Sequence, residues 1–242
     1  HTRCSRDWSS DVCSSDLGGV TAGRFLNLRD ESSFSVGEDV VSAYLFSRGI
    51  RRLDTVVLTH AHNDHMDGLL DVVRNFRVGE VWLGRNPATS RYQEFLNLLS
   101  QQGVPIRWVA AGDVVGTVEI LHPPGGWKPR KTPQNNDSVV LLIRNGSRTV
   151  LLTGDLEIPL QNAPASVDIL KVPHHGSRNT RLRTTAPLRV ISVGANNLFG
   201  HPDASKLPAW RTDLLGAIRL GLKGSGQITD RKSTRLNSSH GY

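Results

Sequence analysis

Ten residues, THAHNDHMDG from Thr59 to Gly68, hold three histidines and two aspartates, and they directly follow the apolar run LDTVVL. Imidazole nitrogens and carboxylate oxygens at this density suit zinc, manganese or iron better than calcium or magnesium. His60, His62, Asp64 and His65 place four ligating groups on six consecutive residues. They cannot all reach one ion with good geometry, but they can divide between two adjacent ions. The alternative is ordinary polar decoration of a loop after a strand. It fits less well, because three of the seven histidines outside the chain ends fall in this one stretch.

A site of this kind needs a strand to deliver it and a helix to leave from it, and the hydrophobic pattern supplies both. LDTVVLT reads as a buried strand, DHMDGLLDVVRNF as a helix, VGEVWLG as a strand, and SRYQEFLNLLSQQG as a helix closed by Gly103. IRWVAA and TVEILHP are strand-like. SVVLLIRNGSRTVLLTGD is a hairpin, with Asn145 and Gly146 suited to a tight turn at positive φ. VDILKV and LRVISVG add two buried strands, while Pro123 to Asn136 has a loop's composition and no periodicity. Alternating strands and amphipathic helices without a repeat or linker predict one α/β domain.

Both chain ends stand apart from this pattern. DRKSTRLNSSH (Asp230 to His240) can be back-translated into a DNA whose reverse complement, in another frame, encodes DWSSDVCSSD, which is Asp7 to Asp16. One oligonucleotide resembling a sequencing-library adapter accounts for both ends. Residues 1–17 and 230–242 are therefore set aside as non-native, leaving 18–229, the size of one α/β domain. Both cysteines, Cys4 and Cys13, go with them, so neither disulfides nor thiolate metal sites enter the reading. The formal charge of +7 falls to about +6, a basic surplus compatible with a polyanionic substrate or simply with a solvated surface. No apolar run approaches the roughly 18 residues of a membrane span, so the fragment itself is expected to be soluble.

HAHNDH resembles the H-x-H-x-D-H signature of the metallo-β-lactamase superfamily. The resemblance implies a four-layer αββα sandwich with two divalent metal ions, zinc or manganese, at the strand ends. It places His60 and His62 on the first metal and Asp64 and His65 on the second. A carboxylate ending a later strand should bridge the two, and VLLTGD supplies it as Asp155. A late histidine completes the second metal. By similarity to phosphodiesterases of the superfamily, His201 is assigned to the metal and His174 or His175 to the scissile phosphate or leaving group, with the reverse assignment open. The middle histidine of the first metal is not evident. Asn136 or Asp137 can stand in for it, and His122, a candidate by type, is expected to pack at the end of its strand.

RGIRRLDTVVLTHAHNDHMDGL, NNDSVVLLIRNGSRTVLLTGDLE, LKVPHHGS, ISVGANNLFGHPD and WRTDLLGAI together resemble the extracytoplasmic domain of the ComEC family, DNA-internalisation proteins of natural competence. The family's opening strands carry DVGQGD-like and DAGG-like motifs; here only Gly18 and Gly19 remain, so the sandwich is expected to lack its first strands. ASKLPA is short where the family has a helix, and the membrane channel is absent. The implied parent lies in the bacterial cytoplasmic membrane with this domain outside it, and no oligomer is implied.

The expected activity is metal-dependent phosphodiester cleavage of single-stranded DNA during uptake. Two cations stabilise such a displacement, Asp64 orients or deprotonates the attacking water, and His174 or His175 protonates the leaving oxygen. Trp127 with Lys128, Arg130 and Lys131 on one loop, and Arg178, Arg181 and Arg183 on another, could hold the strand. A small-molecule thioesterase or lactonase of the same fold is a second expectation. A degenerate domain gripping DNA or the channel without turnover is a third.

Overall fold

The computed structural model describes residues 35–194, 197–222 and 228–232. Gly18 and Gly19, residues 1–17, and 233–242 of the other adapter-like end lie outside the described residues. A π-helical turn, Val36–Ser42, runs into α1 (Ala43–Ser47). The chain then alternates through β1 (Arg52–Leu58), α2 (Asn63–Asn75), β2 (Arg77–Leu83), α3 (Ser90–Gln101) and β3 (Ile106–Trp108). These strands form a parallel sheet in the order β1-β2-β3. The apolar residues of α2 recur at Met66, Leu69, Leu70 and Val73, and those of α3 at Tyr92, Phe95 and Leu99, so each helix buries one stripe. Both stripes pack against Leu58, Val81 and Leu83 from the sheet. Thr89 starts α3 by accepting the Tyr92 N–H at 3.2 Å.

The second sheet has seven strands. They are β4 (Val114–Val115), β5 (Val118–His122), β6 (Val140–Asn145), β7 (Arg148–Leu152), β8 (Ile169–Lys171), β9 (Leu188–Ile191) and β10 (Trp210–Arg211), in the order β10-β9-β8-β7-β6-β5-β4. Pairing is antiparallel from β4 to β7 and parallel from β7 to β10. The expected hairpin is β6–β7, with its turn one residue later than the sequence suggests. Asn145 still pairs with Arg148, and Gly146, at φ +58°, takes the left-handed position. Beyond β10 follow α4 (Thr212–Leu215) and an antiparallel pair, β11 (Ile218–Leu222) with β12 (Ile228–Lys232). β12 includes Asp230–Lys232, the start of the segment set aside on sequence grounds.

The two sheets face each other across Trp82, Val109, Ile120, Val139 and Leu141, with Val57 and Leu152 packed against them. Helices cover the far side of the first sheet. On the far side of the second, Leu142, Leu151, Leu170 and Ile191 are covered by Leu156, Leu160, Val167 and Leu182. Among the described residues that fourth layer of the αββα plan consists of loops. No helix among the described residues is long and apolar enough to cross a membrane.

Asp168, just before β8, ties that strand to the start of β7. Its carboxylate accepts from Arg148 Nη1, from the Thr149 N–H at 2.8 Å and from Thr149 Oγ1 at 3.0 Å. The Arg148 hydrogen bond, then those from Thr149, hold its carboxyl below the ordinary carboxylate value. A depressed folded-state value contributes stability above the unfolded pKa and loses it as pH falls through the folded one. The difference in melting temperature between wild type and Asp168→Asn should therefore be full at neutral pH and shrink on acidification below about pH 4. A gap that stayed constant down to acid would show that the carboxylate charge is not involved.

Candidate metal centre

The C-terminal ends of β1, β7 and β8 and the approach to β6 meet at one edge of the sandwich. Val139 N–H donates to Thr59 O at 2.8 Å, Asp155 N–H to Ser138 Oγ at 3.0 Å, and His174 N–H to Gly154 O at 3.3 Å. The turn after β1 carries His60 and His62, and His62 is the extended N-cap of α2. Asp64 and His65 occupy the first helical turn, where the helix dipole favours a carboxylate.

Four of these side chains converge. One ligand atom from each of Asp64, His65, Asp155 and His175 lies within 4.8 Å of the others. His65 Nε2 is 3.0 Å from Asp155 Oδ2 and 3.7 Å from Asp64 Oδ2, and His175 Nε2 is 3.5 and 3.6 Å from the same two oxygens. Asp155 is buried, and its Oδ1 has no hydrogen-bond partner among the described residues. A buried carboxylate oxygen left this way costs free energy unless a cation takes it up, so the donor set fits a divalent metal. Burial alone would raise the Asp155 carboxyl, but the His65 hydrogen bond, with His175 and Lys171 near, holds it well below the usual carboxylate range. Burial also pushes Asp64 upward, and the approach of His175 brings it below its ordinary value.

His60 and His62 form a second pair beside this cluster, with His60 Nε2 2.9 Å from His62 Nδ1. His62 Nε2 lies 3.0 Å from Pro133 O, an acceptor only, so this nitrogen carries the proton and Nδ1 keeps its lone pair facing His60. His60 is fully buried, and its Nδ1 faces Thr59 Oγ1 at 3.2 Å and Ser138 Oγ at 3.4 Å. Burial, then the neighbouring His65, holds His60 well below the ordinary imidazole value, leaving the neutral ring a metal ligand requires.

The residues considered for the missing middle position are engaged elsewhere. Asn136 Oδ1 accepts the N–H groups of Glu157 and Ile158 at 3.0 and 3.1 Å. Asp137 is buried and accepts from Trp127 Nε1 at 2.8 Å and from Gln134 N–H at 2.9 Å. The neighbouring Ser138, which the sequence does not single out, is the side chain that reaches His60. His122 packs at the end of β5 as expected, donating from Nδ1 to Ser138 O at 2.8 Å. Burial lowers its pKa.

Of the two late histidines, His175 joins the candidate cluster, and His201 sits one ring further out, 6.4 Å between centroids. The backbone explains the choice. His174 and His175 have φ of +48° and +51°, uncommon for non-glycine residues, and this turn swings the His175 ring back over the strand ends. Its Nδ1 donates to Ser192 O at 2.9 Å, which directs the Nε2 lone pair at the carboxylates. His174 is engaged by different partners. Its Nδ1 is 2.8 Å from Glu157 Oε1, and Asn135 Nδ2 lies 3.4 Å from the same nitrogen. Glu157, two residues beyond Asp155, contacts a candidate site histidine and is not singled out by the sequence reading.

Lys128, Arg130 and Lys131 are exposed on the loop that continues into Pro133 and Asn135, both in contact with site histidines. Arg178 and Arg181 are exposed beyond His175, with Arg178 Nε 3.4 Å from Asp203 Oδ2. Trp127 is tied down by Asp137 and meets His122 edge-on at 5.1 Å.

Two facing sheets with histidines and carboxylates gathered at their edge define a class of protein, and the family comparison agrees with it. Residues 19–190 match the family described as the metallo-β-lactamase superfamily, and the chain belongs to that superfamily of metal-dependent hydrolases. Among characterised relatives it is similar to ComE operon protein 3 of Bacillus subtilis (strain 168), 29% identical over 226 residues, covering 88% of this chain and 29% of that protein. It is also similar to competence protein ComA of Neisseria gonorrhoeae, 28% identical over 231 residues, covering 87% of this chain and 31% of that protein. The chain thus spans less than a third of either relative's length. Among solved structures, CmlA, a diiron β-hydroxylase from Streptomyces venezuelae, is 22% identical with a TM-score of 0.34, covering 50% of this chain and 25% of that one.

Proposed function

We propose that this chain is a metal-dependent phosphodiesterase acting on single-stranded DNA during competence-type DNA uptake, as part of a longer protein with a membrane channel. The observation that carries the reading is the Asp64–His65–Asp155–His175 cluster beside the His60–His62 pair. The cluster would hold one divalent ion, zinc or manganese, and the histidine pair a second. Ions bound there supply Lewis-acid stabilisation of charge developing on the phosphoryl oxygens and make water more acidic. Asp64, half-exposed at the cluster, is placed to accept a proton from the attacking water. His174, oriented through Nδ1 by Glu157 and with Asn135 Nδ2 3.5 Å from its Nε2, stands next to the cluster and can protonate the leaving oxygen. Exposed Lys128, Arg130, Lys131, Arg178 and Arg181 surround this edge with the positive charge that holds a phosphate backbone. The second reading is a domain that binds DNA without turnover. It is favoured by Ser138 facing His60 where a third ligand of the first ion would be sought.

The test is cleavage of end-labelled single-stranded DNA by the full chain. Cleavage should require added manganese, stop on chelation and return when metal is restored. A folded, metal-loaded protein that bound DNA without cutting it would select the second reading.

A further inference from the structure

Phe199 is the most exposed large apolar side chain of the described residues, at 83%. No core contact accounts for it, although burying such a ring is favourable. Its position is defined from the base of its loop. Asn197 clamps His201, accepting the His201 N–H at 3.0 Å and donating to His201 O at 2.7 Å. The Phe199 ring lies 6.2 Å from the His201 ring and within 20° of parallel to it; His201 lies 6.4 Å from His175 and within 19°. Three nearly parallel rings thus lead from the ligand cluster to solvent. At the same rim Arg178 offers a largely exposed guanidinium beside Asp203, two residues past His201. The other aromatic ring of this edge, Trp127, is already held by Asp137 and His122.

We infer that the outer face of Phe199 is a stacking subsite for a nucleobase of single-stranded nucleic acid, adjacent to the candidate metal centre; the inference rests on the phosphodiesterase reading. An open aromatic face beside a cation is the surface on which unpaired bases stack, whatever their sequence. Bases in a duplex are already stacked and present no free face. An acyl chain would need an enclosed apolar pocket, and Phe199 stands in the open.

Fluorescence anisotropy of the full chain with labelled oligo(dT), and with an abasic oligonucleotide of equal length, tests the assignment. Phe199→Ala should weaken oligo(dT) binding about tenfold or more, the scale of one base stack. Phe199→Trp should bind as wild type does, and Phe199→Leu as the alanine variant does. Abasic DNA should be held weakly and equally by all four proteins. A leucine variant as good as wild type, or abasic binding that falls in step with oligo(dT) binding, would overturn the stacking role. Manganese-dependent cleavage is measured on the same proteins. Phe199-dependent binding without cleavage keeps the subsite and overturns the nuclease reading. Cleavage with binding indifferent to Phe199 does the reverse, and no binding of either oligonucleotide overturns both.

Discussion

Asp155→Ala and His175→Ala are each expected to lower affinity for a divalent metal by more than about a hundredfold, and any hydrolytic activity with it, whereas His201→Ala should retain wild-type metal content. The magnitude is set from below by changes to groups that merely hydrogen-bond to ligands, which already cost about 10–100-fold; removing a ligand atom must cost more. Asp155 should be the more severe loss. It is buried, one of its oxygens meets His65 at 3.0 Å, and the other is unpartnered among the described residues. Its removal also leaves His65 Nε2 without that carboxylate. His201 differs in kind, because its ring lies beyond His175 and its backbone is clamped by Asn197. Metal content by elemental analysis and affinity by competition with a chromophoric chelator provide the check. Equal metal loss in the His175 and His201 variants would return His201 to the ligand set.

Gly154→Ala is expected to destabilise the fold by about 2–5 kcal/mol, the sum of a left-handed alanine and an overpacked contact. Gly154 has φ +51°, and a Cβ there would meet Ser138 Oγ at 2.8 Å, Ser138 Cβ at 2.9 Å and Thr59 Cβ at 3.1 Å. None of these can yield cheaply. Ser138 Oγ accepts the Asp155 N–H, and both Ser138 and Thr59 face His60 Nδ1. The same substitution should therefore weaken metal binding as well as folding. Gly146→Ala is the control, since Gly146 has φ +58° but no atom within 4 Å of its would-be Cβ. It should cost only the backbone part, about 1–2 kcal/mol. Urea denaturation of the three proteins measures the difference, and equal midpoints for the two variants would show that the Ser138 contact relaxes freely.

What could be read from the sequence divides along chain distance. The β1–α2 unit was legible because its signals are local: an apolar strand, four ligating groups in six residues, and a helix with a buried stripe at Met66, Leu70 and Val73. Asp155 was legible through its position at a strand end. The choice between His175 and His201 was not, since it turns on two left-handed φ angles and on the Ser192 carbonyl 17 residues away. A backbone acceptor leaves no mark in residue types. Ser138 touches His60 across 78 positions, and Asn136 looked like a ligand while serving the loop that carries Glu157. Trp127 reads as a stacking ring because its loop is basic, and its partner Asp137 lies ten residues on with no pattern to announce it.

The turn through His174 and His175 sets two aims of the chain against each other. Each residue held in the left-handed region costs about 1–3 kcal/mol, and glycine or asparagine would be more comfortable at either place. The pair is held there by contacts to Glu157 and Ser192. Heat resistance and the architecture of the site are in competition at this turn: any drift toward residues the backbone prefers gains robustness by giving up one of the two histidine rings at the candidate site.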